Sequence, residues 1–440
     1  MSTPVLRLGI LGASQTAESI HLPALHALFA RFSLTILHDA SPDSLNRCQK
    51  RFNFKEITTS TSDVINHPDV DLVLNLLPFE YHEQHTIAAL EAGKHVMVEV
   101  PLTLSIDGLR RIRAATKKGT ANSHFQGGPK VFVGCARRYA PCFTENFKKE
   151  LASLDRIYYA RCRNIAGPLP SSLNPSSSDS ISTNGNGNGN GISNAFDRSL
   201  NLNGNTNGST NGSLTVPNTI INTTKFHTLL TDIFGNTDDL TSDRIAFARF
   251  LGTTGSHDLS LVRESFGYPD AVANISITDP FYSAMFHYTD TGRDEHPFTM
   301  IYEAGIDAVP RCDSHLTIYG AGKTISLEYD FPCPSGSGEG AMRVIIEEAE
   351  TPESKANGST ANENGTNGAG SVTKPRVKRT VHTSTVAEAY ERQFEDMYSF
   401  FTGNVTAKTD TADALNDLKL VRMIFEHYDR QCAPQVGQAD

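Results

Sequence analysis

Short apolar runs alternate with stretches of helical periodicity over the first 136 residues. Residues 5–11, 33–38, 70–76, 95–98 and 130–136 read as strands. Residues 17–31, 44–52, 83–92 and 106–118 read as the helices between them. Strands alternating with helices of about ten residues or more imply βαβ units and a parallel sheet. Right-handed crossovers then lead to a doubly wound α/β domain. Beyond residue 137 the rhythm changes. Residues 156–163 read as a strand and 243–266 as a helix-rich piece. Runs at 272–278, 282–288, 298–303, 315–319 and 324–329 follow, and turns as short as 320–323 suit an open antiparallel sheet. Two amphipathic helices, 387–401 and 412–428, close the pattern. The expected architecture is α/β: an N-terminal doubly wound parallel sheet (1–136) and a C-terminal α+β domain (137–440) with an open antiparallel sheet.

Two stretches break the periodicity. Residues 168–224 and 352–376 are rich in Asn, Gly and Ser and too polar to offset the entropy of ordering the chain. They read as disordered insertions, expanding surface loops of the second domain. They also explain why only 38% of the 440 residues are hydrophobic. A net charge of −10, without a basic cluster interleaved with aromatics, argues against nucleic acid and anionic membrane as partners. No apolar run approaches the ~18 residues of a membrane helix, and no secretory signal pattern opens the chain, so a cytoplasmic protein is expected. The seven cysteines include no C-x-x-C pair and no His at zinc-like spacing; reduced thiols and no metal are expected.

The first turn carries candidate chemistry. It reads Gly9-Ile10-Leu11-Gly12-Ala13-Ser14-Gln15-Thr16-Ala17, between an expected strand and an expected helix. A dinucleotide site needs a tight turn there, close backbone approach to the pyrophosphate, and a helix N-terminus facing it. Gly12 supplies the turn and Ala17 the close helix packing; Ser14 stands where a second Gly is usual. Asp39, at the end of the second strand and 22 residues beyond Ala17, is placed to accept from the two ribose hydroxyls of NAD. It would also repel a 2′-phosphate, so NAD(H) is favoured over NADP(H). The turn thus points to a Rossmann domain.

Further segments carry a resemblance. Residues 69–82 form an apolar strand ending in Pro78, with His82 four residues on. Residues 88–102 end in Glu99-Val100-Pro101-Leu102. Residues 133–141 include Arg137-Arg138-Tyr139, and 255–263 include Gly255-Ser256-His257-Asp258-Leu259-Ser260. With the helical stretch 410–426 these resemble the glucose-fructose oxidoreductase / inositol dehydrogenase (Gfo/Idh/MocA) family, in a fungal-type member with non-standard catalytic residues. The resemblance covers most of the chain outside the two insertions. It implies NAD(P)-dependent dehydrogenases or reductases of sugars, inositols and related polyols, with homo-oligomers formed through the open C-terminal sheet.

The family's catalytic set is a Lys in Glu-Lys-Pro, an Asp and a His spaced D-x-x-x-H, and a further Asp three residues on. Oxidising a secondary alcohol requires a base for the hydroxyl proton and a cation for the developing alkoxide. Here Val100 stands at the Lys, Thr253 at the first Asp and Ser260 at the last; His257 remains. By resemblance, His257 is the acid/base. Three groups could compensate for the losses: Asp258 by orienting or charge-balancing His257, unless it is a solvated helix acid; Tyr139 as a proton donor, unless it only packs; and Arg137 or Arg138 as the cation. Arg137, Arg138, Thr253 and Ser260 are the candidates for binding substrate. Taken as strand neighbours, one arginine would face the cleft and the other a surface ion pair. Gly9, Gly12, Ala13, Ser14, Ala17, Asp39, Leu77, Pro78, His82, Glu99 and Pro101 make the cofactor pocket. Two functions follow: hydride transfer between the nicotinamide and a polyol, sugar or related small alcohol or carbonyl, or a non-catalytic, corepressor-like dinucleotide-binding regulator. The lost polar groups and the insertions feed the second.

Overall fold

The structure, a computed structural model, describes residues 4–167, 223–234, 240–289, 296–306, 309, 311–329, 340–350, 376–403 and 405–432. Six strands, β1 (Leu6–Leu11), β2 (Phe32–His38), β3 (Glu56–Thr58), β4 (Leu72–Asn75), β5 (His95–Glu99) and β6 (Val131–Gly134), form one parallel sheet. Their order, β3-β2-β1-β4-β5-β6, is that of a dinucleotide-binding Rossmann sheet. β4 and β6 are buried along their whole length, as expected of strands covered on both faces. The helices between strands are α1 (Leu22–Ala27), α2 (Pro42–Phe52), α3 (Thr61–Ile65), α4 (His82–Glu91) and α5 (Ile106–Gly119). β3 and α3 were not anticipated; a three-residue, partly exposed strand has no apolar run to announce it.

The helix expected over 17–31 is shorter and compound. A π-helical turn, Ala17–His21, runs into α1. Pro23 has no N–H to continue the i→i−4 ladder, and the Leu22 N–H reaches back five residues to the Ala17 carbonyl instead.

A 3-10 turn (Ala136–Tyr139), a π-helical turn (Cys142–Phe147) and α6 (Lys148–Ala152) lead to the second sheet. Its strands are β7 (Ile157–Ala166), β8 (Ala271–Thr278), β9 (Phe281–Tyr288), β10 (Phe298–Ile306), β11 (Cys312–Gly320), β12 (Lys323–Tyr329), β13 (Ala341–Glu350) and β14 (Arg376–Thr385). They lie in the order β14-β13-β12-β11-β7-β10-β9-β8. The expected open antiparallel sheet is present, with one parallel pair within it. β7 and β10 run parallel from Thr299↔Tyr159 to Ile306↔Ala166, because a long crossover with helices separates them in sequence. That crossover includes α7 (Thr223–Phe234), α8 (Ser242–Phe250), a π-helical turn (Leu251–Gly255) and α9 (Ser256–Phe266).

β13 and β14 were also missed. β14 is a mostly exposed edge strand of Arg, Lys and Thr, the composition that guards an edge and hides a strand from pattern reading. The two proposed insertions lie outside the described residues, apart from 223–224 at the start of α7 and 376 at the start of β14.

Two C-terminal helices, α10 (Val386–Thr402) and α11 (Thr411–Cys432), return to the first sheet. A capping box of Thr385 and Glu388 opens α10. Its Tyr390, Phe394 and Tyr398 pack edge-on or tilted against His21 and Phe32. The backbone N–H of Val133 in β6 donates to Thr409 ahead of α11.

Candidate active site

The cofactor side starts from one backbone constraint. Gly12 has φ of +100°, and a Cβ there would lie 2.9 Å from the Leu76 carbonyl oxygen, so only glycine lets the β1 turn pass beneath the end of β4. A Cβ on Gly9 would fall 2.7 Å from Val64. Ala17 is fully buried, and Ser14 Oγ accepts from its N–H at 3.2 Å, capping the helical segment as it starts. Asp39 turns into the same turn. Its Oδ2 accepts from the Ala13 N–H at 2.7 Å and its Oδ1 from the Ser41 N–H at 2.8 Å. A carboxylate has about four acceptor positions, so two are left for ribose hydroxyls. The turn therefore fits a dinucleotide.

The next layer joins the loops after β4 and β5. His82 is buried between them, its Nδ1 2.7 Å from the Pro101 carbonyl and its Nε2 2.8 Å from the Leu77 carbonyl. Burial pushes this imidazole below its ordinary range. Pro78 is exposed between these anchors, and the Val100–Pro101 peptide is cis. Glu99 ends β5 with Oε1 2.8 Å from His21 Nε2. Burial raises the Glu99 carboxyl, but His21, then His257 and His82, outweigh it and hold the group below its ordinary range.

The opposite wall is α9. His257 is half-buried and makes no hydrogen bond or ion pair among the described residues. Burial, then the Arg137 cation, lowers its imidazole to about 4, while Glu99 acts the other way. His257 therefore shares its surroundings with Glu99, His21, His82 and Arg137.

Asp258, its neighbour, belongs to a different environment. It is fully buried against the second sheet, accepting from Arg137 Nη1 at 2.6 Å, Asn164 Nδ2 at 2.8 Å and Tyr329 OH at 3.1 Å. None of these bonds reaches His257, because adjacent helix positions point about 100° apart.

The two arginines do not divide between cleft and surface. They lie in a 3-10 turn rather than a strand, and each is 3% exposed. Arg137 pairs with Asp258 and stacks over Tyr329 at 4.4 Å. Arg138 pairs with Glu264 and, at 2.5 Å, with Asp413, and donates to Ser260 Oγ at 2.9 Å. Tyr139 is buried with its hydroxyl 2.6 Å from Thr409 Oγ1, and burial pushes the phenol well up. Thr253 Oγ1 donates back to the Arg249 and Phe250 carbonyls at 3.1 Å. Val100 is buried in an apolar cluster, so no cation occupies the family lysine's place.

Comparison with known proteins gives the arrangement a context. The oxidoreductase family with an NAD-binding Rossmann fold matches residues 6–123. Its relatives include an inositol 2-dehydrogenase of Acidothermus cellulolyticus, 30% identical over 34% of this chain and 41% of that protein. The scyllo-inositol 2-dehydrogenase (NADP(+)) of Bacillus subtilis is 30% identical over 26% of this chain and 31% of that protein. The similarity to this family is carried by the N-terminal unit, residues 6–123. The matches span less than half the length of these two relatives. At the level of fold, likeness extends further. A levoglucosan dehydrogenase solved with NADH and levoglucosan aligns over 97% of this chain and 98% of its own, with a TM-score of 0.58 at 16% identity. The scyllo-inositol dehydrogenase of Lactobacillus casei aligns over 98% of both chains, with a TM-score of 0.55. The relatives named here bear dehydrogenase names and lend no support to the regulatory alternative. No described helix is long and apolar enough to cross a membrane.

Three residues at this cleft escaped sequence reading. His21 sits in no motif, and its partner, Glu99, is 78 residues away. Glu80 and Arg249 carry no motif, yet both hold buried polar atoms without a partner among the described residues.

Proposed function

We propose that the chain is an oxidoreductase that moves hydride between NAD(H), in preference to NADP(H), and a polyol, sugar or related small alcohol or carbonyl. The observation that carries this reading is His257. It is an imidazole without a partner among the described residues, held neutral at physiological pH, on the wall facing the loops of the dinucleotide fold. When bound, the nicotinamide supplies the hydride acceptor or donor. Gly12 keeps the turn clear for the dinucleotide, and Asp39 would hold its ribose hydroxyls with the acceptor positions it has left. His257 takes the hydroxyl proton during oxidation and returns it during reduction. The Arg137 cation disfavours the imidazolium that forms, while Glu99 stabilises it. Glu99, braced by His21, is thus the compensating charge of the site. Arg137, committed to Asp258, positions α9 and does not stand in for the lysine. The proposed assembly is a homo-oligomer through the open face of the second sheet.

The test is a panel of inositols, sugars and their keto forms, read at the NADH absorbance band with wild type and His257→Ala. The variant should bind NADH as wild type does and lose about 10²–10⁴ in turnover. Undiminished turnover would sink the assignment of His257, and no turnover on any substrate would sink the enzyme reading.

A further inference from the structure

The deepest unmet polar groups beside this cleft belong to Arg249 and Glu80. Arg249, on α8, is 3% exposed, and among the described residues neither its Nε nor its Nη1 has a hydrogen-bond partner. Glu80 follows the Leu77–Pro78 loop, and its Oε2 is likewise buried without a partner. The two are close enough that each acts on the other's charge, yet no ion pair joins them. Phe226 covers the guanidinium from one side at 4.7 Å. Leaving buried donors and an acceptor unmet is unfavourable, more so for charged groups, so the gap between them calls for a polar occupant.

Position links the gap to the reacting wall. Arg249, Thr253 and His257 are spaced i, i+4 and i+8 along the helical path from α8 to α9. Four residues of α-helix overshoot one turn by about 40°, and the wider turn of Leu251–Gly255 winds part of that back. The three therefore keep to one side of the path. Glu80 approaches from the loop that leads to the cofactor turn.

The chemistry of the occupant follows from what is missing. A carboxylate or phosphate would satisfy Arg249 but face Glu80, with Asp279 also bearing on the arginine. An ammonium would satisfy Glu80 and face Arg249. A hydroxyl both donates and accepts, and one or two of them meet both residues at once. Resting on the reading of the chain as a polyol oxidoreductase, we propose that Arg249 and Glu80 are specificity-determining residues that take the hydroxyls of the substrate remote from the oxidised carbon.

The experiment uses the full chain with myo-inositol, its mono-deoxy analogues and gluconate, in wild type, Glu80→Gln, Arg249→Met and Arg249→Lys. Wild type should prefer myo-inositol to at least one mono-deoxy analogue by about tenfold in kcat/KM, since the analogue leaves the pair unmet. Glu80→Gln and Arg249→Met should erase that preference, chiefly through KM, and Arg249→Lys should restore part of it. NADH binding and the thermal melt report folding; if Arg249→Met does not fold, Glu80→Gln and Arg249→Lys carry the test. Unchanged KM values and preferences in every folded variant would mean the gap holds only buried water, and the inference is wrong. A loss confined to gluconate also overturns it, because Arg249 would then be an anion site. If wild type binds NADH but acts on no member of the panel, the proposed function falls first and this inference with it.

Discussion

On the cofactor side of the cleft the deciding atoms belong to the backbone: the positive φ of Gly12, the Leu76 carbonyl above it, and the Ala13 N–H held by Asp39. On the other side they belong to side chains from distant segments, with Arg137 sealed against Asp258 while His257, one residue away, has no partner among the described residues. Backbone demands confine the residue types allowed at a few adjacent positions. Side-chain demands can be met from anywhere the fold brings together.

The largest expected effect strikes the sealed pair. Asp258→Ala strands the Arg137 charge in a buried site and should lower stability by about 3–5 kcal/mol, read by urea denaturation. A double replacement, Asp258→Leu with Arg137→Met, should recover part of that loss, because it removes both charges and their desolvation penalties but leaves the Asn164 and Tyr329 donors unmet. If the single variant costs less than about 1 kcal/mol, the pair is not sealed and the contrast with His257 fails.

Next in size is the turn. Gly12→Ala places a methyl group against the Leu76 carbonyl at a φ that alanine resists, and NADH affinity should drop about a hundredfold, ~2.7 kcal/mol. Fluorescence titration reads this directly, and an unaltered titration would remove the dinucleotide from that turn.

The acid limb of the pH dependence separates the two sides without mutation. The unfolded chain protonates histidine near the ordinary 6.5, whereas folded His95, stacked between Phe125 and Phe401, resists until about 3 and His257 until about 4. The unfolded state therefore binds more protons below about 6.5, and stability should fall as pH drops from there towards 3. His95→Phe should flatten that slope, followed by thermal melts across pH. Alcohol oxidation should hold level down to about pH 5 and decline through about 4, as His257 gains its proton. A rate limb centred near 6.5 would show an imidazole open to water.

The smallest effect belongs to Asp39. Asp39→Ser should weaken NADH binding about tenfold, ~1.4 kcal/mol, and narrow the gap to NADPH. Equal cofactor preference before and after would free Asp39 of any part in that choice.

The same division explains what the sequence disclosed. The parallel sheet was legible because its apolar strands alternate with amphipathic helices, and the turn because glycine is demanded there. The second sheet was read only in part. β14 hides its strand character in an exposed run of Arg, Lys and Thr, and the parallel β7–β10 pair depends on a crossover no local pattern records. The arginines were read as strand residues because Val131–Gly134 precedes them, but the chain turns at Cys135 and carries both inward. Arg249 and Glu80 had no signal at all, since each needs the other's location to be noticed.

The last two strands have a practical consequence. Ten consecutive rungs, from Ala341↔Thr385 to Glu350↔Arg376, bind β13 to β14, so the chain departs and re-enters at opposing ends of one rung. Closing a longer link between points already side by side adds only a logarithmic entropic cost, about 0.6 kcal/mol for each doubling. Lengthening the chain between Glu350 and Arg376 should therefore cost little stability, which a reporter protein grafted between them would test by thermal melt.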